Sequence, residues 1–387
     1  MEVKIYKMLT EIIIGKGSSG KLGEKVKELN AKKAFIVTDK GIVNTGILKE
    51  ILTSLQKENI EYELFDEVEP DPNTDMIEPA TELAIKSNCD IIIGIGGGSS
   101  MDSAKAIGAM VTNEGKISDY IGIDKIKNEP LPIIAIPTTA GSGSEVTFWS
   151  VLVEKKSNFK VGIGSWYLAP KIAIIDPLLC KSLPPKITAF TGMDALTHAI
   201  ESYVSKATQP ISEALAIHSI KLIARSLKKA FSDSANIDAR EDMMMASTIA
   251  GMAFNVSKCG LAHALASPLG GHFHISHGMA NAILLPYVMK FNILAVPEKF
   301  AEIAVVFKEN IAGISKIDAG TKAVNAVKKL MKDIGIIEGL KDYGVKEGDL
   351  RIIAEEAYIS GNIVINPRES TVNDLIEILR EAMNGLK

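Results

Sequence analysis

Cysteine is scarce: the 387 residues hold only Cys89, Cys180 and Cys259, odd in number, far apart and in no CxxC arrangement. A disulfide framework and a cysteine-based zinc knuckle are thereby excluded, and free, buried thiols are expected. A surplus of charge is also missing. The net charge is −4 and no extended basic run occurs, so nucleic acid is not an expected partner and small-molecule chemistry is. No stretch reaches the ~18 continuous apolar residues that span a bilayer. The opening MEVKIYKMLTEIIIGKGSSG lacks the apolar core of a signal peptide, so no membrane association and a cytoplasmic location are expected. Internal repeats and low-complexity segments are absent too.

What is present reads as a globular chain, 47% hydrophobic and 23% charged, long enough for at least two cores. TEIIIGKGSSG reads as a strand ending in a Gly/Ser turn, and a helix from about Gly20 to Leu29 leads into the short apolar run Ala34–Val37, which stops at Thr38 and Asp39. An acid at the carboxyl end of a buried parallel strand can accept both hydroxyls of an adenosine ribose, which favours NAD over NADP; an ordinary turn aspartate is the alternative. A helix around Thr45–Gln56 precedes YELFDEVEPDPNTDMI, read as a loop from its Pro and Asp. Asp90–Ile95 reads as a buried strand running into Gly96, Gly97 and Gly98, with a new helix from near Ser99. Bare backbone followed by a helix N-terminus suits a pyrophosphate. The pattern is not GxGxxG, and Ser99 and Asp102 have the spacing of a capping box, so capping is the expected role of Asp102. A further strand, Ile133–Ile136, runs into Thr138 and Thr139 and a Gly/Ser-rich turn, a second place for cofactor phosphates and sugars. FWSVLVEKKSNFKVGIGS reads as a β-hairpin carrying Lys160, either exposed or in contact with cofactor.

From about Lys186 the periods become helical, with amphipathic segments around Ala189–Val204, Pro210–Phe231, Ala239–Val256, Pro297–Phe307, Thr321–Ile334 and Thr371–Met383, and no convincing strand. The domain boundary is placed so that residues 1–184 form one domain and 185–387 the other. All six histidines lie between Thr191 and Pro286. Asp194 and His198, four apart on a helix, share a face. His263 and His277 follow, so that one carboxylate and three imidazoles are candidate ligands of a divalent ion; a packed His263 and a local Asp194–His198 pair are the bland alternative. The run Met243–Met245 reads as core.

Taken together, GGGSSMDSAKA, PTTAGSGSEVT, GMDALTHAIESYVS and HGMANAILLPYVMKFN resemble the iron-containing, metal-dependent group III alcohol dehydrogenases over nearly the whole chain. The resemblance implies an α/β dinucleotide-binding domain with a mostly parallel sheet followed by an all-α domain, the architecture shared with dehydroquinate synthase. A cleft between them would hold NAD, or alternatively NADP, and a divalent metal, iron(II) with zinc as a substitute. By motif, Asp194, His198, His263 and His277 match the metal ligands, Gly96, Gly97, Gly98 and Ser99 the pyrophosphate loop, Thr138 and Thr139 the second cofactor loop, and Asp39 the ribose contact. Thr147 and Lys160 fall where further cofactor contacts lie. One departure stands out: the family's histidine four residues beyond the third ligand is Ser267 here. His274, or else His272, is the candidate replacement in proton transfer. The implied activity is reversible hydride transfer between a small alcohol or diol and nicotinamide, by a homodimer or larger homo-oligomer. Glycerol dehydrogenase-like polyol oxidation and a dehydroquinate synthase-like lyase are the rival enzymatic readings, and a non-enzymatic binding protein the third.

Overall fold

Short runs of branched apolar residues, each flanked by Gly, Asp or Pro, build the sheets of one compact unit, Met8–Leu183. The second unit joins Met1–Lys7 to Pro184–Lys387. The computed structural model describes residues 3–155 and 159–386.

The strands of the first unit are β1 (Glu11–Ile14), β2 (Lys33–Val37), β3 (Glu61–Phe65), β4 (Ile91–Gly96), β5 (Gly122–Ile123), β6 (Ile133–Pro137), β7 (Trp149–Glu154), β8 (Phe159–Gly164) and β9 (Ile172–Ile175). Six of them form one parallel sheet in the order β1-β9-β6-β4-β2-β3. Period-two alternation feeds two cores. Phe35, Val37, Ile92 and Ile133 pack on one face, while Ala34, Ile36, Ile91, Ile93 and Ile134 pack on the other. Both faces are therefore covered, which explains why these strands read as continuous apolar runs. Each isoleucine so buried contributes on the order of 1.5–3 kcal/mol.

The chain passes from β2 outward to β3, then returns to the far side of β2 for β4 and continues to β6 and β9. The winding direction thus reverses between β2 and β4, and ligands of open α/β sheets collect at the carboxyl ends beside such a reversal. Those ends are Thr38–Asp39 and Gly96–Gly98. The register sets Gly96 opposite Pro137, which brings Thr138 and Thr139 alongside.

Helices α1 (Leu22–Glu28), α2 (Lys40–Thr45), α3 (Leu48–Lys57), α4 (Ile77–Lys86) and α5 (Gly98–Thr112) connect these strands. Two sequence expectations are corrected here. The helix expected around Thr45–Gln56 is α3, starting at Leu48, and it is preceded by a helix that was not expected, α2, because Asp39 caps α2 through the Ile42 N–H at 3.0 Å and Gly46, at φ 78°, ends it in the left-handed region. YELF, read as loop, is the edge strand β3, paired in register with β2. The downstream Pro and Asp masked its alternation. The hairpin expectation holds for β7 and β8, which pair antiparallel, while its turn at 156–158 lies outside the described residues.

In the second unit the described residues form no strand. Its helices include α6 (Pro185–Val204), α7 (Pro210–Ser232), α8 (Ile237–Ser257), α9 (Leu261–Phe273), α10 (His277–Asn292), α11 (Pro297–Val306), α12 (Lys316–Asp333), α13 (Leu350–Tyr358), α14 (Asn362–Ile365) and α15 (Val372–Ala382). α6 packs against α7, α8 and α10 and is buried without a break from Gly192 to Val204. α9 and α10 were not expected as helices: they are apolar around most of their circumference and carry Pro268 and Pro286, so neither shows a one-sided stripe. Residues assigned above to the first domain also belong here, since the Lys4 ammonium donates to Thr208 O (2.6 Å) and the Tyr6 hydroxyl to Met252 O (3.3 Å). Among the described residues no helix is long and apolar enough to cross a membrane.

Candidate active site

On a helix buried all round, the polar residues are the informative ones. α6 carries Asp194, His198 and Glu201, all buried, at spacings of four and three that align them on one face. Glu201 uses both oxygens. It accepts from the Ala262 N–H (2.6 Å), the Gly260 N–H (2.7 Å) and the His263 Nδ1 (2.6 Å). The first turn of α9, whose N-cap Gly260 has no side chain to offer, is thus capped by another helix. The same carboxylate fixes the His263 ring, and the buried His263 Nε2 has no hydrogen-bond partner. Asp194 Oδ1 lies 4.0 Å from that nitrogen and 3.9 Å from His277 Nε2. Asn281, one turn beyond His277 on α10, donates to Asp194 Oδ1 at 2.7 Å and approaches His277 Nε2 at 3.2 Å. Close approach of α10 to α6 depends on Gly278, where a Cβ would fall 2.6 Å from Phe190 O.

The four predicted ligands therefore gather, though not as one equidistant set. The donor atoms of Asp194, His263 and His277 lie within 4.8 Å of one another. His198 stacks its ring on His263 at 4.5 Å between centroids and on Phe254 at 4.3 Å, and falls within 4.8 Å of His263 together with Cys259. Burial would raise the Asp194 carboxyl, but the imidazoles of His198, His277 and His263 and the Asn281 amide outweigh it and hold the group at about 2. The carboxylate is thus ionised at neutral pH. Burial lowers the affinity of His263 for a proton, yet Cys259 and Glu201 overcome this and raise it well above its ordinary value. A proton and a cation compete for such a ring. A buried anionic oxygen, convergent imidazoles and one orphaned ring nitrogen whose opposite nitrogen is held by a carboxylate fit a divalent cation of the iron or zinc kind.

In the α/β unit Asp39, Gly96, Gly97, Gly98, Ser99, Thr138 and Thr139 lie at the reversal point. Gly96 has φ 148°, and a Cβ there would lie 2.5 Å from Ser100 Oγ. Gly97 is the N-cap of α5 and Gly98 its first residue, close against Thr139 and Ser142 respectively. α5 runs fifteen residues, and no side chain caps its N-terminus, where the N-cap and first residue are glycines. Asp39 keeps Oδ1 on the α2 cap and has Oδ2 3.5 Å from Ser100 Oγ. Thr138 is buried, its N–H donating to Gly96 O at 2.9 Å.

The match to known proteins covers both units. Residues 10–177 fit the family described as iron-containing alcohol dehydrogenase, and residues 188–383 fit the C-terminal part of the Fe-containing alcohol dehydrogenase family. The chain belongs to the iron-containing alcohol dehydrogenases. It is similar to the 1,3-propanediol dehydrogenase of Citrobacter freundii, 46% identical over 363 residues, 93% of this chain and 94% of the relative. It is also similar to the NAD-dependent methanol dehydrogenase of Bacillus methanolicus, 38% identical over 371 residues, 96% and 97% of the two chains. A crystal structure of 1,3-propanediol oxidoreductase superposes with a TM-score of 0.97 at 43% identity, covering 99% of this chain and 100% of that one. The sulfoacetaldehyde reductase of Bifidobacterium kashiwanohense in complex with NAD+ gives 0.90 at 33% identity, covering 99% of each.

Within this iron-type alcohol dehydrogenase several predicted residues take up structural partners. Asp102 does not cap α5. It lies inside the helix, accepting from Ser144 Oγ (2.5 Å) and the Val151 N–H (3.0 Å), and the N-cap is Gly97. Thr147 is buried with Oγ1 accepting from the Lys105 ammonium at 3.2 Å. Lys105, wholly buried, also donates to Ser144 Oγ and Trp149 O, and desolvation depresses its pKa against the pull of Asp102. Lys160 pairs with Asp71 at 2.6 Å. Ser99 is the second residue of α5. His272 is exposed and bonded to Glu356 at 2.7 Å. His274, also exposed, ends α9 in the left-handed region at φ 53°. Three residues of the ligand cluster were missed. Glu201 and Asn281 had a signal, the helical spacing from His198 and His277. Cys259 had none beyond lying four residues before His263.

Proposed function

We propose that the chain oxidises a small primary alcohol or diol to the aldehyde, and reduces the aldehyde in return, using NAD and an iron(II) ion held by Asp194, His198, His263 and His277. The observation that carries this reading is the buried carboxylate between imidazoles, with His263 Nε2 left without a hydrogen bond. When bound, the cation supplies Lewis acidity, lowering the pKa of an alcohol hydroxyl. Glu201 holds the His263 ring in one tautomer and orientation, Asn281 orients Asp194, and Phe254 covers His198 and keeps water from it. At the reversal of the sheet, the glycines admit a pyrophosphate to the α5 N-terminus and Asp39 Oδ2 accepts from the adenosine ribose. Its charge disfavours a 2′-phosphate, which supports NAD. His274, exposed beyond α9, is the candidate for passing the released proton to solvent. The names of the relatives, a 1,3-propanediol and a methanol dehydrogenase, support short alcohols and diols as the substrate class. A homo-oligomeric, cytoplasmic enzyme accords with the family resemblance.

The test is a chelation series on protein purified without oxygen. NAD reduction by 1,3-propanediol or a short primary alcohol should vanish on complete metal removal, return with iron(II), and exceed NADP reduction. Turnover that survives metal removal would overturn the reading.

A further inference from the structure

Cys259 lies in the connection between α8 and α9, directly before the α9 N-cap Gly260, and its sulfur, His198 and His263 offer three donor atoms within 4.8 Å of one another. The thiol forms no disulfide. Because His263 gives Nδ1 to Glu201, Nε2 is the nitrogen it has left, and that buried atom is without a hydrogen bond. His263 also belongs to the Asp194–His263–His277 group, so the two donor sets overlap at His263.

Their chemistry differs. Carboxylate and imidazole suit iron(II), whereas two imidazoles and a sulfur suit softer cations. We propose that His198, Cys259 and His263 form a second, sulfur-containing cation site that takes thiophilic divalent metals such as zinc or cobalt(II), in competition with the oxygen-containing set. On binding, the S–H bond breaks heterolytically: the proton leaves to solvent and the sulfur electron pair goes to the cation, with no change in oxidation state. A thiophilic metal drawn to this side leaves Asp194 and His277 uncoordinated, so the chain's metal preference depends on Cys259. The site shares His198 and His263 with the proposed catalytic centre but does not need that centre's reaction.

Metal-free full-length protein, titrated with one equivalent of cobalt(II) under exclusion of oxygen, should develop an intense sulfur-to-cobalt charge-transfer band in the near ultraviolet. Cys259→Ser should abolish the band and weaken cobalt binding roughly tenfold or more, the scale set by altering groups around metal ligands. His277→Ala should keep the band, because His277 lies outside this set. A wild-type protein that binds cobalt without the band, a band that persists in Cys259→Ser, or one lost in His277→Ala would overturn the proposal. Independently of any variant, zinc should protect Cys259 from alkylation, read by peptide mass spectrometry, and equal labelling with and without zinc would overturn it. Absence of alcohol turnover would sink the proposed function and leave these readouts unchanged.

Discussion

At the carboxyl ends of β2, β4 and β6 the candidate cofactor groups are bare backbone, a helix terminus and small hydroxyls, whereas on α6, α9 and α10 the candidate metal groups are side chains, buried except for the half-buried His277, that neighbouring side chains hold in place. The difference follows from what each ligand needs. A pyrophosphate is large and anionic, and is best met by N–H groups with nothing standing in front of them. A cation needs a few donors with fixed direction, and burying such donors demands that every remaining polar atom find a partner. The α/β unit is therefore sensitive to what is added, and the helical unit to what is removed.

Removal in the helical unit gives the largest expected effect. Glu201→Gln replaces one of two accepting oxygens with an amide, stranding backbone N–H groups at the start of α9 or the His263 Nδ1. Cation affinity should fall roughly 10–100-fold. Stability should fall by about 1–3 kcal/mol. Metal content after dialysis and a denaturant midpoint check both, and a variant with undiminished metal content would show that His263 is held by something else. Addition in the α/β unit comes next. Gly96→Ala puts a methyl group 2.5 Å from Ser100 Oγ at a φ of 148°. The strain is about 1–3 kcal/mol. NAD affinity should drop roughly tenfold, about 1.4 kcal/mol, with metal content unchanged. Loss of metal in this variant would erase the contrast between the units. The smallest effect is expected from Asp39→Gly, since glycine is tolerated at the α2 N-cap at a cost of a few tenths of a kcal/mol. The ratio of NADP to NAD use should rise several-fold, and an unchanged ratio would remove Asp39 from the ribose site.

The same contrast explains what the sequence could reveal. Glycine runs, strand-terminal Thr and Asp, and apolar β-branched runs are local signals, so the sheet and its loops could be read residue by residue. Ser99 and Asp102 misled because a matching capping-box spacing was available while Ser144 and Val151, which Asp102 actually meets, are more than forty residues away. In the helical unit Asp194 and His198 were legible as one face of a helix. Glu201 lay on the same face and was passed over because glutamate is common on solvated helices, and only the burial of α6 makes it informative. α9 and α10 escaped notice because helices apolar around most of their circumference lose the periodicity that marks a surface helix. The alignment of Cys259 with His198 and His263 is a tertiary fact with no local counterpart.

The central claim is that Asp194 and three imidazoles hold a cation in the helical unit. Iron K-edge X-ray absorption of the protein loaded with iron(II) without oxygen tests it most directly. One iron per chain, with a nitrogen/oxygen shell and the multiple scattering of several imidazoles that diminishes in His277→Ala, is the result predicted. Iron that is not retained, or a shell without imidazole scattering, would contradict it.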